Sequence, residues 1–132
     1  MKSLHTLLNL AKRELETLRR ALAADTARQE AIERNIAALD QNLLAEQQRA
    51  SGDPFSGFTY AAFAARKATD RRVMSAEARL IGAQCDRLRA LVEEAHVETR
   101  KFERLLELRD QRERAAAVKR EDAELDELAT MR

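Results

Sequence analysis

The sequence predicts an all-α fold: an antiparallel two-helix coiled-coil hairpin with unequal helices and a C-terminal helical overhang. Three observations lead there. The 132 residues hold only 1 Pro and 3 Gly, no Trp, 4 Phe and 1 Tyr, and 36% are charged. That is the composition of long helices, not of sheets joined by tight turns. Apolar residues recur in steps of four and three over two long stretches, the spacing of a helix that coils around a partner. One cluster of helix breakers, Ser51-Gly52-Asp53-Pro54, separates the two stretches.

In the first stretch the seam runs through Leu4, Leu8, Ala11, Leu15, Leu18 and Leu22, and resumes at Ile32, Ile36, Leu39 and Leu43. Asp25 and Gln29 fill the two seam positions between. Polar residues on a seam weaken it but discriminate against slipped pairings. Helix 1 is expected over about 3–50, with the Ser3 hydroxyl capping its free first-turn amides. The turn is expected over about 51–58. Gly52 tolerates a left-handed cap, Pro54 restricts the residue before it, and Phe55-Ser56-Gly57-Phe58 extends the break. Asp53 or Thr59 is placed to cap the second helix.

Helix 2 is expected over about 59–130. Its clearest seam is Met74, Ala78, Ile81, Cys85, Leu88, Val92, Ala95, Thr99, Phe102 and Leu106. Gly82 inside it costs about 1 kcal/mol relative to Ala, which points to close packing or to a hinge. Folding back at the turn pairs residues whose numbers sum to roughly 109–110, so Leu4 should meet Leu106. The clear second seam also ends at Leu106, since the next positions are Arg109 and Glu113. Residues after about 107 therefore overhang by roughly 40 Å at 1.5 Å per residue. The chain is expected to form a single domain.

Charge and motif content exclude several functions. The 24 basic and 23 acidic residues leave a net charge of +1. A general nucleic-acid binder carries a basic excess, so no nucleic-acid partner is expected. No apolar run approaches a membrane span of about 20 residues, and no secretory leader pattern opens the chain. A cytoplasmic location is expected, and one Cys fits a reducing compartment. Gly-rich phosphate loops, paired cysteines and His spacings suited to a metal are absent from the sequence. His5 and His96 fall far apart even in the hairpin register. Cys85 reads as a small seam hydrophobe. Glu93, Glu94 and Glu98 are acidic neighbours on a helix surface, which offers no dry cleft for acid–base work. No catalytic site, cofactor, metal or small-molecule substrate is expected.

Two candidate partner surfaces remain. The overhang carries Leu108, Ala115, Val118, Leu125 and Ala129 in a heptad spacing with no intramolecular partner, which points to another protein. Residues 101–120 sum to +3 and residues 121–132 to −4. Near the turn, Phe55, Phe58, Tyr60 and Phe63 place four of the five aromatics within nine residues. They either plug the hairpin tip or anchor a partner.

The C-terminal third, ETRKFERLLELRD at Glu98–Asp110, followed by QRER and then Leu125-Asp126-Glu127-Leu128-Ala129, resembles the flagellar export protein FliJ family. Tyr60 with Phe63 three residues later, the length and the two unequal helices agree with that family. The resemblance implies a non-enzymatic component of the flagellar type III export machinery, similar to the coiled-coil stalk of rotary ATP synthases. It implies docking of the helix termini into a ring of the export ATPase, FliI-like, through the overhang stripe and Asp126, Glu127 and Leu128. It implies contact of the turn-proximal surface, Tyr60 and Phe63, with the export gate protein, FlhA-like. It also implies contacts with export chaperones, and a peripheral place at the cytoplasmic face of the inner membrane. Lys67, Asp70 and Met74 stand where the family is apolar or His-like. The related stalk of a virulence type III secretion system shares the plan. A coiled-coil chaperone or cargo adaptor and a homodimeric spacer are the readings from other classes.

Overall fold

The computed structural model describes residues 3–53 and 56–131, and leaves the side chain of Ser56 outside that description. The fold class is the expected one: two long helices and, among the described residues, no strand. Helix α1 spans Leu4–Ala50 and helix α2 spans Ser56–Thr130.

The ends of the helices follow local chemistry. The Thr6 amide donates to Ser3 Oγ at 3.2 Å and the Leu7 amide to the Ser3 carbonyl at 3.1 Å, so Ser3 caps α1 as expected. At the other end the Gly52 amide donates to the Arg49 carbonyl at 3.4 Å and the Asp53 amide to the Ala50 carbonyl at 3.2 Å. The Ser51 hydroxyl donates to the Gln48 carbonyl at 2.8 Å. These tightened three-residue bonds satisfy the last carbonyls without a left-handed residue, and no described Gly has a positive φ. The left-handed cap expected at Gly52 is therefore not what ends the helix. Helix α2 begins at Ser56, three residues earlier than expected, so Gly57, Phe58 and Thr59 lie inside its first turn. Thr59 is consequently not the cap. The breaks expected at Pro54 and Phe55 lie outside the described residues.

The chain divides into two compact units, one of residues 18–91 and one of residues 1–17 with 92–132. In the first, α1 and α2 pack antiparallel. Arg71 Nε donates to Asp40 Oδ1 at 2.8 Å, and an added Cβ on Gly82 would fall 2.9 Å from Gln29 Nε2. Both contacts join residues whose numbers sum to 111, one beyond the expected register. Leu39 and Ile81 are buried on the seam and Cys85 is 0% exposed. Leu18, Leu22, Asp25, Gln29, Ile32, Ile36, Leu43, Met74, Ala78 and Leu88 are half-buried. Gly82 is a close-packing position: the Gln29 amide lies over the space a side chain would fill. A polar knob on one helix thus meets a missing Cβ on the other.

The second unit keeps the same periodicity. Leu8, Leu15 and Thr99 are buried, and Ala11, Val92, Ala95, Phe102 and Leu106 are half-buried. Thr99 satisfies its buried hydroxyl by donating to the Ala95 carbonyl at 2.9 Å. Leu4 borders an apolar cavity of about 260 Å³ with Leu105 and Leu108, one residue before and two after its expected partner Leu106. Beyond Leu108 every described residue is exposed except Ala117, which is half-buried.

Candidate partner-binding surfaces

The turn-proximal surface belongs to the unit of residues 18–91. Seam positions extrapolated back from Met74 in steps of three and four fall on Arg71, Lys67, Ala64 and Tyr60. On α1, the positions after Leu43 are Glu46 and Ala50. Tyr60 and Phe63 are half-buried, and with Ala50, Thr59, Glu46, Arg49, Asp53 and Arg66 they line a cleft of about 340 Å³. The two expected anchors are therefore together, with an apolar floor and a charged rim. Phe58 is 89% exposed and does not plug the tip.

Charge decides the rest of this surface. Lys67 runs its stem along α2 and holds its ammonium 5.6 Å from the centre of the Phe63 ring. That places a positive charge over the ring, a weak attraction at an exposed site. Arg71 grips Asp40 through both carboxylate oxygens, at 2.8 and 3.2 Å. The Arg71 hydrogen bonds hold the Asp40 carboxyl below the ordinary carboxylate range, and Asp40 raises Arg71 in return. Arg49 is turned back to Glu46 on its own helix at 2.9 Å.

The overhang surface belongs to the other unit. Val118 is 55% exposed, Leu125 63% and Leu128 62%, and Ala115, Asp126, Glu127 and Ala129 are exposed as well. Leu108 is half-buried beside Leu4 at the margin of the packed part. Leu4 shares its cavity with Leu105, Leu108, Arg109 and Arg112, so the stripe starts from the face of α2 that meets the beginning of α1. Helix α1 begins at Leu4, and beyond Leu108 the stripe is exposed.

Within this unit the ion pairs are local: Lys101 with Glu98 at 3.8 Å, Arg104 with Glu107 at 3.1 Å and Arg109 with Glu113 at 3.3 Å. Among the described residues no ion pair joins the basic segment 101–120 to the acidic segment 121–132. Both charge blocks are thus presented to whatever approaches the stripe. Among the described residues no cluster of three His, Cys, Asp or Glu forms a metal site. Within the same residues no helix is long and apolar enough to cross a membrane.

No curated protein and no solved structure matches the chain. A family model described as "Flagellar FliJ protein" matches residues 1–132. Two unequal helices, an apolar seam of coiled-coil spacing and a match over the whole length agree: the chain belongs to the flagellar FliJ family and is a component associated with flagellar protein export.

Proposed function

We propose that the chain is a coiled-coil coupling component without an active site. It links the ring of the flagellar export ATPase, FliI-like, to the export gate protein, FlhA-like, and meets the export chaperones on the way. Its place is the cytoplasm, at the periphery of the inner membrane. The observation that supports this reading most is the bare stripe of the overhang. Leu108, Ala115, Val118, Leu125 and Ala129 repeat at heptad spacing on a helix that no described residue covers beyond Leu108. A repeated apolar stripe exposed to water is unusual in a chain that works alone. The charge blocks along it, +3 and then −4, suit a protein partner bearing rings of both signs. They do not suit nucleic acid, which would repel the acidic end.

The ATPase-binding residues in this reading are Leu108, Ala115, Val118, Leu125, Asp126, Glu127, Leu128 and Ala129. The gate-binding residues are Tyr60 and Phe63, which share one cleft. The deciding experiment is a pull-down of the FliI-type ATPase by the full chain and by residues 1–107. Capture by the full chain alone supports the proposal. Near-equal capture by both removes the overhang from it. A full chain that already forms a tight dimer through the stripe contradicts it, because the stripe would be occupied.

A further inference from the structure

We infer that the turn-proximal end of the hairpin, residues 40–50 of α1 with residues 57–71 of α2, is a separately opening segment whose zipper is made of charged side chains. The inference stands on the seam alone and requires no partner.

The seam of the neighbouring segment, residues 18–39 with 72–91, is apolar apart from Asp25 and Gln29, and three of its residues are buried: Leu39, Ile81 and Cys85. In the turn-proximal segment the equivalent positions are Leu43, Glu46 and Ala50 on α1 and Tyr60, Ala64, Lys67 and Arg71 on α2. Three of the seven are charged. None of the described residues there is buried. Charged groups at seam positions cannot be closed over without losing their hydration, so the helices stay far enough apart for the charges to reach water. The cleft of about 340 Å³ between the two helix ends is the geometric result.

What then joins the two helix ends? An ion pair that crosses between them is Asp40 with Arg71, and both side chains keep nearly half their surface in water, at 46% and 48%. Lys67 places its charge over Phe63 of its own helix, and Arg49 pairs with Glu46 of its own helix. An exposed pair is screened by salt and contributes little. Leu43 and Tyr60 are the apolar residues larger than alanine on this part of the seam, and both are half-buried rather than buried. The apolar area released by opening is therefore smaller than in the neighbouring segment with its three buried residues, and local opening is easier where fewer apolar contacts close a segment. The segment beyond Leu39 and Met74 loses its whole core if it parts, so it stays closed while the end opens.

The test is a pair of distance distributions from electron–electron double resonance on the full chain, in a Cys85→Ala background. Spin labels on Gln47→Cys with Ala65→Cys report the turn-proximal end. Labels on Arg34→Cys with Glu77→Cys report the apolar segment. All four positions are exposed, so labelling leaves the seam intact. The turn-proximal pair should show a second, longer distance whose share at least doubles between about 0.05 M and about 1 M salt, as the screening length shortens. The other pair should show one narrow distance at both. The variant Lys67→Leu with Arg71→Leu should remove the longer component. One narrow, salt-independent distance at the turn-proximal end overturns the inference. So does a long component that persists unchanged in the apolar variant.

Discussion

The turn-proximal cleft and the overhang stripe both expose apolar side chains, yet they are built differently. In the cleft, Tyr60 and Phe63 rest half-buried against a second helix, and Lys67 places its charge over the Phe63 ring. The stripe consists of aliphatic side chains on one helix with nothing behind them beyond Leu108. The difference teaches how each surface distributes its binding energy. An aromatic offers one large side chain to a partner, so one residue can act as an anchor. A lone helical stripe of Ala, Val and Leu offers many small contacts, none of which dominates.

Removing residues 108–132 should therefore have the largest effect. Binding to the ATPase should fall by more than about a hundredfold, or about 2.7 kcal/mol. The remaining hairpin should stay folded, because almost everything removed is exposed. Far-UV circular dichroism and calorimetric titration check both halves of the prediction. Phe63→Ala comes next. It should weaken the gate interaction by about tenfold, the cost of losing one aromatic anchor, with helicity unchanged. A loss of helicity in step with binding would make Phe63 a structural plug instead.

Leu125→Ala should then cost less than about threefold in ATPase affinity, since the stripe shares its contacts. A tenfold loss would make the overhang as anchor-driven as the cleft and erase the contrast. The smallest effect is expected from Asp40→Asn. Asp40 has a lowered folded-state pKa, so its pairing with Arg71 stabilises fully above the ordinary value of 3.8 and is lost as pH falls through the lowered one. Melting temperatures of the native chain and the variant should differ slightly at neutral pH and converge as pH falls from 3.8 through the lowered value. Melting curves followed from neutral to acid pH check this.

The seam is legible residue by residue. Each apolar seam position from Leu4 to Leu43 and from Met74 to Leu106 is half-buried or buried, and Asp25 and Gln29 keep their seam places. Period-3.5 spacing survives folding because it states directly which side chains leave water. Between Ser56 and Arg71 the spacing shows no clear seam, because Lys67 and Arg71 occupy positions that hydrophobic periodicity cannot recognise. The start of α2 is hidden for a related reason: Gly57 and Phe58 are poor helix signals, yet they sit in its first turn. The charged contact of Arg71 with Asp40 joins residues 31 apart in sequence and is invisible to any local rule. At the overhang the exposure of Val118, Leu125 and Leu128 agrees with the sequence, which offers no second helix beyond Leu4 to cover them.

The central claim is that two separate surfaces serve two different partners. It is tested most directly by titrating three proteins, the full chain, residues 1–107 and Phe63→Ala, against both the ATPase and the cytoplasmic part of the gate protein. Residues 1–107 should lose the ATPase and keep the gate, while Phe63→Ala should keep the ATPase and lose about tenfold on the gate. If either change weakens both interactions equally, the two surfaces do not act independently and the account is wrong.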